Sequence, residues 1–386
     1  MQNTIKYKAF VLLAAVIAFS SCRKIFNLPD EKNYLSTQAT YTTMSFQPIM
    51  GRTKNYPNVF SPSGSSFPIT FEIKNPRFGD GRDASDMLAL KPTLVWNAEY
   101  TGKETSLAEI EAKRHLENHP ILEVKSSGDI VWWYTVTSKD IKPADSVIYP
   151  QNQRFFDVKF TNSGGSRTIK GLSVTPYVEQ PYTPNSDYNT ITGKPNTTTP
   201  GGKIKVYNYA SVSGIRGATT NQFMNDTKNA NTGIVYVYIR KFTDPTGDPA
   251  AIGHRLRFRF LDKDSVCISP NKFGATKWLD QVHGFNPAGT APGYFLYDKT
   301  GDPNKFIEYN VAYPIPLAKV PSKYTSGGLA NLNGGETAHA EFSYTRVGFG
   351  GIIETGRIIQ DFQIFEKGDW EIVYHFKTVN PKFDND

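Results

Sequence analysis

The chain has 386 residues, which is long for a single hydrophobic core, so we expect two domains. Hydrophobic residues make up 39% and charged residues 20% of the sequence, a balance that argues against wholesale disorder. The net charge is +7, but the sequence contains no long run of like charges, which argues against a nucleic-acid partner. An acidic polysaccharide as partner is permitted by this charge but not indicated by it.

The first 22 residues resemble a bacterial lipoprotein signal peptide in the order of their segments. Lys6 and Lys8 give a positive start, residues 9–19 are apolar but too short to cross a bilayer comfortably, and small residues lead to Cys22. The resemblance implies cleavage before Cys22 and lipidation of this residue. Ordinary signal-peptidase cleavage just before an incidental Cys22 is the alternative.

No later apolar run is long enough to span a membrane. Residues 23–40 are polar and lack periodicity, so we predict that they tether the lipid to the first domain. The expected location is the cell envelope, with a lipid anchor in the outer membrane. The surface and periplasmic faces of that membrane both stay open.

Short alternating runs dominate residues 41–180. In FPITFEIKN (67–75), Ile69, Phe71 and Ile73 alternate with polar residues, which is typical of a strand with one buried face. Further runs of this kind follow, separated by turn sequences such as FGDGRD and NSGGS. The pattern predicts an antiparallel, Ig-like β-sandwich.

One segment of this half, residues 105–118 (TSLAEIEAKRHLEN), has helical signals. Ser106 and Glu109 form a capping box, in which the glutamate reaches back to the amide of the cap residue. Glu109 and Lys113 form a favourable i,i+4 pair, and Pro120 ends the helix. We therefore predict a short helix on the surface of the sandwich.

His115 and His119 lie four residues apart on this predicted helix, like the histidines of zinc proteases. In that motif the glutamate follows the first histidine directly, whereas Glu117 is two positions on and roughly 200° around a helix. Glu111 would complete a row with the two histidines, but Pro120 frays the end of the helix. We predict an ordinary polar helix face and no metal site.

Residues 181–202 contain four prolines among Thr, Asn and Gly, and we predict a linker there. Strand-like runs return in residues 203–386, which predicts a second, jelly-roll-like β-sandwich. In HRLRFRFLD (254–262) the leucine and the phenylalanines are predicted to point into the core. The alternating arginines are predicted to point outward: Arg255, Arg257 and Arg259.

The sequence contains no nucleophile elbow and no Walker loop, and GFGG (348–351) lies between strand-like runs with no helix to follow. Cys267 follows a strand and is predicted to be a buried structural thiol. The acidic loops at 79–83, 261–265 and 297–306 lack the spacing of an EF-hand. We predict turns there, with a structural Ca²⁺ as the alternative, and no other cofactor.

Aromatic residues are the remaining binding resource. Trp132 and Trp133 are adjacent in a strand and must face opposite sides, so Trp133 is the exposed candidate. Trp278, Tyr294 and Tyr297 lie in a loop-rich stretch, where exposed rings can stack on a sugar. We name these four residues as candidate glycan-binding residues, with rings that cover the edge of the core as the alternative.

Several segments carry a family resemblance: NLPDEKNYLS, FQPIMGRT, YTGKETSLAEIEAKR and FFDVKFTNSGG. They resemble one of the domain-of-unknown-function families of Bacteroidota envelope lipoproteins, with family number 5007 as the candidate, over most of residues 22–190. The resemblance implies an association with SusC/SusD-type glycan uptake systems and transfers no catalytic residue. Acidic residues often follow the lipidated cysteine in such surface proteins, whereas Arg23 and Lys24 follow it here.

We therefore expect a non-catalytic envelope lipoprotein that binds glycan or a SusC/SusD-like partner. One alternative is a structural or adhesive surface protein with a protein partner. Another is a glycoside hydrolase with a pair of carboxylates that are close only in space.

Overall fold

The computed structural model describes residues 33–145, 149–185, 189, 208–224, 234–243, 252–286, 293–296 and 305–386. Several sequence predictions fall outside the described residues: the signal peptide with Cys22, Tyr297, and most of the predicted linker and of the acidic loop at 297–306. Strands dominate the described chain, which is therefore mainly β, as predicted. None of its helices has the length and apolar character that crossing a membrane requires.

The first half contains eleven described strands and one α-helix, α1 (Leu107–Ala112). The strands are β1 Thr40–Tyr41, β2 Ser45–Phe46, β3 Lys54–Tyr56, β4 Phe60–Ser61, β5 Thr70–Phe78, β6 Leu90–Trp96, β7 Arg114–Pro120, β8 Leu122–Val124, β9 Ile130–Trp132, β10 Arg154–Asn162 and β11 Gly165–Val174. A four-stranded sheet has the order β2-β11-β10-β5, with β2 and β11 parallel. Smaller sheets are β3-β9-β8, β1-β4 and β6-β7.

The described strands of the second half are β12 Tyr182–Thr183, β13 Asn208–Tyr209, β14 Ser211–Ser213, β15 Val235–Lys241, β16 Arg255–Leu261, β17 Cys267–Ile268, β18 Gly284–Phe285, β19 Phe295–Leu296, β20 Phe306–Val311, β21 Ala338–Val347, β22 Ile353–Ile364 and β23 Trp370–Phe376. An eight-stranded sheet follows the order β13-β15-β23-β16-β20-β18, with β17 on β16 and β19 on β20. Strands β16 and β23 are parallel. The second sheet joins β12, β22 and β14, and β21 pairs with β22.

The described residues form two large apolar clusters, one from residues before 175 in the chain and one from residues after 181. The first is built from residues between Ala39 and Val174, and the second from residues between Tyr182 and Val379. Because strands alternate their side chains, β10 buries Phe156 and Phe160 in the first cluster. A third, small cluster joins residues from both halves: Tyr100, Ile110, Phe285, Ala312 and Leu317. The domain boundaries and the Ig-like and jelly-roll-like assignments stay predictions.

The predicted helix over residues 105–118 is wrong in its second half. Helix α1 ends at Ala112, and Arg114–Pro120 is the strand β7, paired antiparallel with β6. The ladder from β6 supplies partners for these backbone groups and overrides the local helical signal. A strand puts residues i, i+2 and i+4 on one face, so Glu117 lies between the two histidines. Its carboxylate oxygens are 2.7 Å from His115 Nε2 and 3.0 Å from His119 Nε2.

The predicted capping box is present with a small change. The Ser106 hydroxyl accepts from the amide of Glu109 at 3.0 Å, whereas the Glu109 carboxylate accepts from the amide of Thr105 at 2.7 Å, one residue before the cap. Lys113 pairs with Glu104 at 2.6 Å instead of with Glu109. Within the described ranges, no cluster of His, Cys, Asp and Glu is arranged to hold a metal ion. Cys267 is half-buried instead of buried.

Candidate functional site

The large sheet carries polar and aromatic side chains on the side opposite its core. In β15 the valines and Ile239 point into the core, while Tyr236, Tyr238 and Arg240 alternate with them. The same alternation in β16 places Phe258 in the core and the arginines on the opposite side. We term this polar side of β13, β15, β23, β16 and β20 the outer face.

Three tyrosines form one end of the outer face. Tyr209 of β13 lies opposite Tyr236 of β15, with ring centroids 5.2 Å apart, and Tyr236 lies 6.4 Å from Tyr238. All three rings are half-buried, and the Tyr238 hydroxyl is 3.4 Å from Nδ1 of His375. We term Tyr209, Tyr236 and Tyr238 the tyrosine row; it presents aromatic surface beside polar tips.

Charged residues form the other end, in rows set by strand register. Arg257 of β16 lies opposite Glu308 of β20 on one side and opposite Glu371 of β23 on the other, so a carboxylate residue flanks this arginine on each neighbouring strand. In the next row, Arg255 lies opposite Asn310 and pairs with Asp369 at 2.5 Å. Neighbouring strands lie about 4.8 Å apart, which brings these groups together although their positions in the chain are far apart.

The prediction that the arginines of β16 face solvent is wrong for two of them. They share the predicted face, but Arg255 and Arg257 are only 1% and 2% exposed. The guanidinium of Arg257 lies between the rings of Phe242 and Phe306, 4.0 and 4.2 Å from their centroids. These rings and the adjacent carboxylates cover Arg255 and Arg257, so alternation predicted the side but not the burial.

Glu308 is the most deeply buried carboxylate of this array. One of its oxygens accepts from Nε of Arg257, while the other, Oε1, has no hydrogen-bond partner among the residues described. The buried Oδ1 of Asn310, two residues along the same strand, also lacks a partner in the described part of the chain. Burial raises the pKa of Glu308 against the opposing charge of Arg257.

At the solvent side of the array, two arginines share one carboxylate. Nη2 of Arg240 lies 2.9 Å from Oε2 of Glu371, and Nε of Arg259 lies 3.0 Å from Oε1. Arg240 follows Tyr238 by two residues on the same strand, so charge borders the tyrosine row. The outer face therefore combines aromatic rings that can stack on a ligand with guanidinium groups that can pair with one.

Trp278 and Tyr294, two of the sequence-predicted residues, do come together. Their ring centroids are 6.1 Å apart, both rings are half-buried, and Trp278 also packs on Phe342 at 5.6 Å. The Tyr309 hydroxyl donates to the carbonyl oxygen of Trp278 at 2.7 Å. These contacts place the two rings at the edge of the second core, on the opposite side of the large sheet from the tyrosine row.

Trp133 directly follows β9 and is half-buried, whereas Trp132, the last residue of β9, is fully buried. Its indole nitrogen donates to Glu123 at 2.7 Å, and its ring packs 4.7 Å from the ring of His119. Lys125 covers the ring at 4.9 Å from the centroid. Much of the surface of Trp133 is therefore in contact with neighbouring residues of the first half.

Sequence reasoning missed the tyrosine row. The signal was present in GIVYVYIRKF, where Tyr236, Tyr238 and Arg240 occupy the alternate positions of a strand with an apolar second face. Glu308 and Glu371 carried no such signal. They lie on separate strands and become neighbours of Arg257 only through the sheet.

The chain matches the family model described as Domain of unknown function (DUF5007) over residues 60–385, and it belongs to that family. The match extends through both halves, beyond the region in which the sequence motifs gave a resemblance. No curated protein and no solved structure matches the chain.

Proposed function

We propose that this member of the DUF5007 family is a non-catalytic envelope lipoprotein that binds glycan at the outer face of its large sheet. The tyrosine row is the observation that carries the proposal. Three half-buried rings lie side by side on the face opposite the core, where burial alone does not require them. The lipid anchor at Cys22 and the Bacteroidota setting rest on the signal peptide and the sequence resemblance.

Aromatic rings suit glycans because sugar rings have apolar C–H faces and polar edges. A tyrosine offers the same combination of an apolar ring and a polar tip, at low cost in conformational entropy. The arginines at the end of the row can pair with sugar oxygens. The proposed protein is thus an accessory that holds polysaccharide at the outer membrane, next to a SusC/SusD-like complex.

Isothermal titration of the mature protein against a broad glycan panel tests the proposal. For at least one polysaccharide, Tyr236→Ala and Tyr238→Ala should each weaken binding by roughly tenfold, since each removes a stacking surface. Tyr34→Ala is the matched control, because Tyr34 is an exposed tyrosine of the first half. Flat isotherms for the unmodified protein over the whole panel would count against the proposal.

Trp278→Ala in the same titration tests the binding residues predicted from the sequence. Because Trp278 packs on Phe342, its thermal unfolding is measured alongside. A loss of binding at unchanged stability would move the glycan site to Trp278 and Tyr294. Unchanged binding would leave the tyrosine row as the site.

A second candidate function, binding of a protein partner, is favoured by an exposed apolar hairpin end. The turn between β21 and β22, together with the first residue of β22, exposes 90% of Phe349, 67% of Ile352 and 72% of Ile353. We term these three residues the apolar tip. Gly350 and Gly351, with φ of +74° and +79°, allow the tight turn. Exposed apolar patches of this kind often mark interaction sites.

The base of the apolar tip is held by ion pairs. Arg346 pairs with Glu354 at 3.0 Å and with Asp386 at 2.9 Å, and Arg216 pairs with Glu354 at 2.9 Å. A convex apolar group on a fixed base suits insertion into an apolar recess of a protein partner. The base contains carboxylates as well as arginines, so it has no collar of unbalanced positive charge for an anionic bilayer.

A photocrosslinking amino acid at position 349 tests this second function in cells that carry the gene. We expect one defined protein adduct, whose identity is then checked by binding of the two purified proteins. The matched control places the same group at Leu332, another exposed apolar loop residue. Lipid adducts, or the same adducts at both positions, would argue against a protein partner.

A hydrolase site among the charged residues of the large sheet would use Glu308 and Glu371 as its acid pair. Both lie on the outer face, but Glu308 is fully buried and bound to Arg257. We therefore rank the hydrolase below the two binding functions.

A further inference from the structure

We propose that the glycan bound at the outer face is acidic, with a carboxylate or sulfate group seated against Arg240 and Arg259. This inference rests on the proposed glycan-binding function and adds the class of ligand. It concerns the end of the tyrosine row, where β15, β23 and β16 lie side by side.

The first observation is the way the two arginines share one carboxylate. Arg240 bonds to Oε2 of Glu371 through Nε and Nη2, at 3.1 and 2.9 Å, while Arg259 lies 3.0 Å from Oε1. Within the described residues, neither arginine forms an ion pair with a second carboxylate. Two positive charges therefore face one negative charge, and a ligand anion would neutralise the excess.

The second observation is where that excess lies. The side chains of Arg240 and Arg259 are 59% and 27% exposed, whereas that of Glu371 is only 4% exposed. The carboxylate of Glu371 is thus buried, while the guanidinium-bearing side chains of Arg240 and Arg259 reach the solvent. A guanidinium has five N–H donors in a planar fork, so Arg240 retains donors for a ligand after its two bonds to Glu371.

The third observation is the distance to the aromatic platform. Arg240 follows Tyr238 by two residues on the same face of β15, so their Cα atoms lie roughly 7 Å apart. A sugar ring stacked on Tyr238 would bring its own acidic substituent, or that of the next sugar, to the guanidinium. A neutral glycan would stack on the tyrosines but leave the excess charge of the two arginines unused.

Uronic acids and sulfated sugars offer the same anionic chemistry, so the test contains both. Titrations of the mature protein use polygalacturonate, dextran sulfate and neutral dextran. We expect at least one polyanion to bind ten times more tightly than dextran, and the binding to weaken when NaCl is raised from about 50 to 500 mM. The better polyanion identifies the acidic group.

Arg240→Gln should weaken binding of that polyanion by roughly tenfold, because it removes the excess charge and keeps a polar side chain that can form hydrogen bonds. Arg357→Gln is the matched control. Arg357 is a half-exposed arginine on β22 of the other sheet, and it pairs with Glu341 at 3.1 Å. Thermal unfolding of both variants verifies that they are folded.

The outcomes separate this inference from the proposed function. If dextran or another neutral glycan of the panel binds as tightly as the polyanions and Tyr236→Ala abolishes it, the glycan site stands and the acidic ligand is wrong. Equal losses in Arg240→Gln and Arg357→Gln would reveal binding through net charge alone and overturn the inference. Absence of binding to every glycan overturns both proposals.

Discussion

At the scale of single residues, the chain withdraws an ion pair almost completely from water. Arg257 and Glu308 are directly bonded, and both side chains are buried on the outer face. Phe242 and Phe306 lie against the guanidinium, so solvent cannot screen the charges. A buried pair contributes little net stability when intact, but loss of one partner leaves an uncompensated charge.

Glu308→Gln should therefore lower the free energy of unfolding by about 3–5 kcal/mol, since it removes the negative charge bonded to the buried guanidinium of Arg257. Urea denaturation of the purified protein measures the change. Glu341→Gln is the control, because Glu341 pairs with the exposed Arg357 at 3.1 Å. We expect a loss below about 1 kcal/mol for this surface pair. Equal losses in the two variants would contradict the idea of a specially buried pair.

At the scale of elements, the connection between β6 and β7 is fixed by one buried carboxylate. Glu104 accepts from the amide of Thr101 at 2.8 Å and pairs with Lys113 at 2.6 Å. Burial alone would raise the pKa of Glu104, but these donors outweigh it and hold the pKa at about 2, below the usual 4.5. The loop before α1 is thereby tied to the end of the helix.

A depressed carboxyl pKa stabilises the fold above the pKa of the unfolded chain, and this contribution is lost as pH falls through the folded value. Glu104→Gln should therefore lower the free energy of unfolding by roughly 3 kcal/mol at pH 6. The difference from the unmodified protein should shrink by more than half at pH 3, as measured by urea denaturation at each pH. A difference that does not change with pH would refute this role.

At the scale of the whole molecule, His283 links the loop before α1 to the second half. Its Nδ1 accepts from the Tyr100 hydroxyl at 2.7 Å, its Nε2 donates to the carbonyl oxygen of Glu104 at 2.8 Å, and its ring stacks on Tyr324 at 4.8 Å. Burial lowers the pKa of His283, and nearby Lys323 acts in the same direction. The neutral ring is the form that fits this junction.

Since the pKa of His283 is lowered in the fold, the unfolded chain takes up this proton first as pH falls below about 6.5. Acidification from pH 7.5 to 5.5 should therefore lower the thermal midpoint, and His283→Phe should reduce that fall. His339→Asn should do the reverse, because the hydrogen bond that His339 donates to the Asp361 carboxylate raises the pKa of His339 in the fold. The same pH dependence in both variants would contradict the assignment.

Many of the local features of the structure, such as strands, their faces and a helix cap, could be predicted from the sequence alone. Alternation in FPITFEIKN and HRLRFRFLD predicted strands and the side on which each residue lies, because side chains alternate along any strand. The serine and glutamate spacing at the start of α1 predicted the cap, since that hydrogen bond spans only three residues.

The tertiary structure decided whatever depends on segments far apart in the chain. Residues 114–120 form a strand because β6 offers a ladder of partners, which no local helical signal can outweigh. Arg255 and Arg257 of β16 are buried because Phe242, Phe306, Glu308 and Glu371 come from other segments of the chain. Periodicity therefore determined which side of a strand each residue occupies, whereas long-range packing decided which sides are covered and where tyrosines and arginines meet.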